Sequence, residues 1–287
     1  MIMKKNFYST LITVVLFCIE CSSFAFPQSQ YARVENPSME NFQFSAQDNG
    51  ALSIISNPAT LGIGHASDLW YTTTIERHHF LEHNFFVQTP FLFTNFGANY
   101  RKVYSEDKKQ SADVYGFGFG MSSHLFSFGF ATDFLVSKTE EATLSHFGIL
   151  YSPTRMFSLA YVAKNFNAPS TLTYIFHKEQ IFGVAIRPMF SKRITLFLDV
   201  KSDKSTLFGK TAIQFGAELR INQATRILFA YHDAQITIQK LYSFTLTFDF
   251  SQSNIFSSVS TSEHRFPETS LGMHFSDDEN DDDVFKH

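Results

Sequence analysis

From Asp68 to Phe250 apolar residues alternate with small or polar ones, and this period of two constrains the fold more than any other property of the chain. In Leu125 to Phe134, Phe126, Phe128, Phe130 and Phe134 share one face, while Ser127, Gly129, Ala131 and Asp133 share the other. Such alternation marks a β-strand with two unlike faces. Tyr115, Phe117, Phe119 and Met121 repeat it against Gly116, Gly118 and Gly120, and Phe244, Leu246, Phe248 and Phe250 repeat it against Ser243, Thr245, Thr247 and Asp249. The chain holds 35 Phe and a single Trp, and the rings fall in these short segments rather than in long apolar runs. That excludes a helical membrane protein, and a 44% hydrophobic content excludes a disordered chain.

A soluble sandwich also alternates, with its apolar face turned inward. The opposite face separates the two readings. A sheet facing water displays Lys, Glu and Arg, whereas here the second face carries Gly, Ser, Ala and Thr with scattered charges, among them Asp133, Asp199, Glu218, Asp249 and Arg187. These residues suit the lumen of a barrel. In an outer-membrane barrel, segments of about ten residues turn their apolar side to lipid, and Lys or Arg at the bilayer midplane costs roughly 2–4 kcal/mol. The absence of charge from the apolar face follows. The expected fold is all-β, a transmembrane up-and-down antiparallel β-barrel, with a secreted β-sandwich adhesin as the weaker alternative.

Hairpins beginning at Phe147-Gly148, Phe182-Gly183 and Phe215-Gly216 share a wording, and short links alternate with longer ones. Short turns belong on the periplasmic side and long loops outside. Strands are expected near 68–76, 83–89, 92–104, 114–121, 125–137, 142–151, 156–163, 172–187, 194–201, 210–220, 225–233 and 241–250. That makes twelve, or fourteen if 172–187 is two strands or one is hidden nearer the N-terminus.

The segments flanking this body differ from it. Lys4 and Lys5, an apolar stretch from Leu11 to Ile19, and Ser23-Phe24-Ala25 read as a signal peptide over residues 1–25, with lipid attachment at Cys21 as the competing reading. The only cysteines, Cys18 and Cys21, fall inside it, so no disulfide or thiolate metal site is expected beyond it. The net charge of −4 reflects the acidic cluster Asp277 to Asp283, which reads with the rest of 251–287 as a disordered tail. A body without basic excess offers no footprint for nucleic acid. Glu76, His78, His79, Glu82 and His83 are the one metal-like cluster, but they read as a solvated hairpin loop over 77–82, so neither a metal site nor a cofactor is expected. No nucleophile elbow or phosphate loop is present, so an enzyme is not expected.

Residues 26–67 precede the barrel. Ser45 to Ser56 reads as a short helix with Ser45 as N-cap and Asp48 in the capping-box position. Asn57-Pro58-Ala59-Thr60-Leu61-Gly62 ends it, because Pro58 biases Asn57 away from helix. A helix running into Asn-Pro-Ala and Leu-Gly just before the first strand resembles the N-terminal region of the FadL-type outer-membrane transport superfamily, which includes long-chain fatty acid transporters and PorV-like proteins. Gly148-Ile-Leu-Tyr151-Ser-Pro153 and Gly183-Val-Ala-Ile-Arg187-Pro188, with the strands after them, are similar to barrel segments of that superfamily. The resemblance implies a lumenal hatch: Asn57, Pro58, Ala59 and Gly62 at its turn, with Ala51, Leu52, Ile54 and Ile55 on the plug helix. It also implies a location in the outer membrane of a diderm bacterium. Two functions follow from it: binding or passage of a hydrophobic small molecule, or a structural role in docking an exported protein partner.

Overall fold

The computed structural model describes residues 43–47, 50–64, 66–77, 79–104, 111–171, 175–188, 193–203, 211–222, 224–234, 239–250, 253–262 and 265–276. The expected signal peptide and the acidic cluster lie outside these residues. The alternating segments form β1 (Asp68–Glu76), β2 (His79–Phe91), β3 (Thr94–Tyr104), β4 (Ser111–Ser122) and β5 (Phe126–Ser137). Next come β6 (Glu141–Thr154), β7 (Phe157–Lys164), β8 (Glu179–Ile186), β9 (Ile194–Asp203) and β10 (Thr211–Asn222). The last four are β11 (Thr225–Ala234), β12 (Gln239–Phe250), β13 (Ser253–Ser262) and β14 (Arg265–Ser276). Each pairs antiparallel with its neighbours in sequence, and β1 pairs with β14 from Asp68↔Ser276 to Glu76↔Glu268, closing the barrel. Closure leaves no edge strand with unpaired backbone groups, as a hydrocarbon environment requires.

The two faces divide as the alternation predicts. Phe117, Phe119, Phe126, Phe128, Phe134, Phe215 and Phe244 stand exposed on the outer surface, while Ala131, Asp133, Asp199 and Ser243 are buried inside. An exterior of aromatic and aliphatic side chains is matched to lipid rather than to water.

Several expectations are corrected. The strand count among the described residues is fourteen, the alternative expected, but neither added strand comes from the places anticipated. Both lie beyond Phe250, in the segment read as tail, so the barrel runs to Ser276. β13 turns Ile255, Ser257, Val259 and Thr261 outward and buries its one ring, Phe256, in the lumen. β14 contains Pro267, a residue that weakens a strand signal. Among the described residues of 172–187 a single strand forms, β8, and the β7–β8 connection is correspondingly long. The solvated loop expected over 77–82 is shorter: β2 already begins at His79, and Glu82 is fully buried on its inner face.

An eight-stranded barrel is just wide enough for its own side chains to fill, while barrels of sixteen to eighteen strands enclose water. At fourteen, something more than the wall is needed to close the lumen. The N-terminal segment supplies it. A 3₁₀ turn (Gly50–Leu52) runs into helix α1 (Ser53–Ser56), and Pro58 opens helix α2 (Pro58–Leu61). Asn57 does not merely end one helix. Its side chain accepts from the Ala59 N–H at 3.0 Å and so caps the second, with Pro58 at the first helical position, where its missing N–H is harmless. Ser45 is not an N-cap, because its polar atoms are committed to the barrel wall.

Candidate functional site

The lumenal plug is built against a set of wall glycines. Gly97, Gly118, Gly120, Gly129, Gly148, Gly183 and Gly216 all take buried, inward positions on their strands. A Cβ on Gly129 would lie within 3.0 Å of the Pro58 carbonyl and the Ala59 nitrogen, and one on Gly120 within 3.0 Å of the Gly62 nitrogen. Gly148 faces Asn57, Gly97 and Gly118 face Ile54, Gly183 faces Ser45, and Gly216 lies under the Phe44 ring. The plug backbone therefore approaches the wall backbone at spacings that only glycine permits. The contacts run from β3 through β6 and again at β8 and β10, so the segment bridges the lumen rather than lining one side.

Polar ties fix the register of this packing. Asp199 on β9 accepts from the Ser45 N–H at 2.8 Å and from the Ser45 hydroxyl at 2.9 Å. Asp68 on β1 accepts from the Ala51 N–H at 2.7 Å and from the Trp70 indole at 3.1 Å, and its other oxygen meets His274 of β14. Asn95 on β3 donates to the Leu61 carbonyl at 2.6 Å and to that of Gly64. Gln214 on β10 donates to the Gln43 carbonyl at 3.3 Å, and Gln47 of the plug donates to Glu218 at 3.3 Å. Within the plug, the Asn57 amide donates to the Ser45 carbonyl at 2.7 Å, and the Thr60 hydroxyl lies 2.6 Å from that of Ser53. The apolar side chains between these ties form one cluster: Phe44, Ala51, Leu52, Ile54, Ile55, Ala59 and Leu61 from the plug, with Phe86, Phe197 and Phe256 from the wall. Phe44 stacks on Phe197 at 4.8 Å between ring centroids.

On the loop side of the plug the lumen turns polar. Arg101 donates to Asp133 at 2.7 Å, Asn99 donates to the same carboxylate at 3.4 Å, and the His146 ring lies 3.7 Å away. All four side chains are buried. A buried ion pair with further donors keeps both charges solvated by protein. Beyond it lies a second apolar cluster of Val103, Ala112, Val114, Leu135, Leu144 and Phe176. At the short-turn end Arg226 forms a bidentate pair with Asp249, at 3.0 and 2.8 Å.

The anticipated hatch residues lie together in the plug. Asn57 and Ala59 are fully buried, and Ile54 and Ile55 nearly so, while Gly62 packs against Met121 and Gly120. The anticipated lumenal charges do not form one group: Asp199 holds the plug, Asp133 pairs with Arg101, and Glu218 touches Gln47. Asp249 pairs with Arg226, and Arg187 donates to Ser158 at 3.3 Å. The metal-like stretch divides between faces, with Glu82 inward and His83 bonded to Tyr71 on the outer side at 3.1 Å. Among the described residues no group is arranged to hold a metal ion. Sequence reasoning missed Phe44, Ser45, Asp68 and Asn95. The alternating glycines were the signal available for the wall contacts, since glycine inside a strand marks close approach of another backbone.

No protein-family model matches the chain, and no curated protein matches it in sequence. Solved structures do match. The Pseudomonas putida toluene transporter TodX superposes with a TM-score of 0.57 at 12% identity, covering 81% of this chain and 95% of that one. A TodX deltaS2S3 mutant, described as a monoaromatic hydrocarbon channel, gives 0.54 at 12% identity, covering 79% and 94%. At such identity the likeness is one of fold: this chain has the architecture of the outer-membrane β-barrel channels.

Proposed function

We propose that the chain is an outer-membrane channel of a diderm bacterium that binds or passes hydrophobic small molecules, with residues 43–64 as its hatch. The observation that carries the reading is the seat of the plug. A lumen fourteen strands wide is closed by a segment joined to the wall by hydrogen bonds and close packing, without covalent bonds to it other than its own chain continuity into β1. The lipid-matched exterior supports the location, and the fold shared with a toluene transporter supports the class of solute.

Deletion of residues 26–62, tested in liposomes beside the full chain, is expected to raise permeability to small polar solutes and to lift ion conductance. An unchanged permeability, with the barrel verified by heat-modifiable migration, would remove the gating role. Cells producing the full chain are expected to take up radiolabelled toluene faster than cells without it. Equal uptake would favour the docking of an exported protein instead.

A further inference from the structure

Phe176 is the one residue of the second apolar cluster that does not belong to the barrel wall. Val103 comes from β3, Ala112 and Val114 from β4, Leu135 from β5 and Leu144 from β6, and the ring fills the space among them with no exposure at all. It arrives from the β7–β8 connection, whose other large apolar side chains among the described residues, Phe166 and Ile175, are 42% and 66% exposed. The Phe176 ring is thus drawn inside while the adjacent Ile175 remains outside.

The segment is fastened to the β6 edge beside the site and to itself at the site, where the Phe176 N–H donates to the Pro169 carbonyl at 3.1 Å and the Asn165 amide donates to the His177 carbonyl at 3.1 Å. The β6–β7 register begins only at Phe147↔Ala163, so the β6 edge above it is taken by the connection. The Phe166 N–H donates to the Ser145 carbonyl at 3.1 Å, the Ser145 N–H donates to the Asn167 side chain at 3.0 Å, and that amide donates to the Thr143 carbonyl at 2.6 Å. Asn165 and Ala168 both take left-handed backbone, at φ 49° and 45°, a conformation disfavoured for a residue with a Cβ. The floor of the site is polar: Arg101 and Asn99 precede Val103 on β3, Asp133 precedes Leu135 on β5, and Arg101 joins Asp133 beneath the apolar side chains.

We infer that this is a ligand site for a single-ring apolar group, and that Phe176 occupies it as an internal stand-in. The walls come from four strands and are wholly apolar, the volume accepts one phenyl ring, and the occupant is carried by a connection rather than by the wall. An incoming ring makes the same contacts that Phe176 makes, while a charged group would be desolvated among Val103, Val114, Leu135 and Leu144 above an Arg101–Asp133 pair whose charges already neutralise each other. The site rests for its physiological role on the channel reading, and it names the class of molecule that the channel takes: compact apolar rings.

The test reads the site alone. In full-length protein carrying Cys18→Ser, Cys21→Ser and Leu135→Cys, the thiol is labelled with benzyl methanethiosulfonate and, separately, with its negatively charged sulfonatoethyl analogue. Phe176→Ala is expected to speed benzyl labelling by about tenfold or more, since the ring removed has far more apolar contact than that ratio requires. Toluene is expected to slow the labelling again, and Phe176→Leu to fall between. The charged reagent is expected to gain little. No acceleration, or equal acceleration by both reagents, would overturn the proposal. Leu144→Cys serves as a second reporter if Leu135→Cys lacks heat-modifiable migration. Uptake and permeability read whether solutes cross, while labelling reads whether a ring binds, so each conclusion can fail without the other.

Discussion

Gly129→Ala separates the strength of the barrel wall from the seat of its plug. The substitution places a methyl within 3.0 Å of the Pro58 carbonyl carbon and oxygen and of the Ala59 nitrogen, all of them backbone. No flexible side chain can turn aside, so α2 must move. Overpacking of this kind costs about 1–3 kcal/mol. Displacing α2 also strains the bond from Asn95 to the Leu61 carbonyl, at 2.6 Å, worth roughly 0.5–1.5 kcal/mol net. The seated plug therefore loses about 1.5–4.5 kcal/mol, which lowers its occupancy ratio by between about tenfold and roughly two thousandfold. The wall itself responds with the opposite sign, because Ala is favoured over Gly inside a strand by roughly 0.5–1 kcal/mol. In planar bilayers the variant is expected to conduct in frequent long openings, while its urea midpoint and heat-modifiable migration equal or exceed those of the parent. Thr132→Ala, on the outer side of the same strand, is expected to change neither. A Gly129→Ala barrel that stays as closed as the parent would refute the argument that wall glycines set the seat.

Asp199→Ala removes the acceptor of both Ser45 bonds, at about 1.5–3 kcal/mol for a charged acceptor. Limited proteolysis should then cut the N-terminal segment faster, and an unchanged rate would mean that this tie does not hold the plug. Arg101→Ala strands the buried Asp133 carboxylate and should destabilise the barrel by about 3–5 kcal/mol, whereas Arg101→Met with Asp133→Leu should cost much less. Urea midpoints compare the two, and equal losses would contradict the pairing. Truncation after Phe250 removes the partner of β1 and should abolish heat-modifiable migration; a heat-modifiable truncated product would show that β13 and β14 are dispensable for closure.

The central strands were legible because their two faces differ so sharply. β5 shows this well: its rings and its Ser, Gly, Ala and Asp never exchange sides. β13 and β14 escaped because that contrast fades, with Ser257 and Thr261 facing lipid, Phe256 facing the lumen and a proline near the start of the last strand. Glu82 was placed in a loop because a charge beside three histidines reads as solvated. In the structure it faces the lumen near Asn84, which donates to it at 3.4 Å. The hatch turn was legible as local chemistry, since Asn before Pro limits helix on one side and can cap it on the other. Its partners were not, because the link from Ser45 to Asp199 spans most of the chain and leaves no periodic trace. Alternating glycines suit the inside of a barrel, and at Gly120 and Gly129 the neighbour they make room for is the backbone of another segment.

How the closure opens follows from how little of it is self-supporting. α1 and α2 are four residues each, and isolated helices below roughly 12–15 residues are marginal in water. Their shape is therefore imposed by the wall: by the glycine seats, by Asp199, Asp68 and Asn95, and by the shared cluster around Phe44 and Ile54. A plug of this kind does not swing out as a rigid body, because leaving the wall removes the contacts that keep it helical. On the proposed hatch reading, opening is instead an order-to-disorder step confined to the segment before β1. Hydrogen exchange on the Gly129→Ala barrel is expected to show lost protection from Ile54 to Leu61 with the amides of β4, β5 and β6 unaffected. If Ile54 to Leu61 stayed protected in the conducting variant, the plug would be moving as a preformed unit, and the wall would be its seat without being its template.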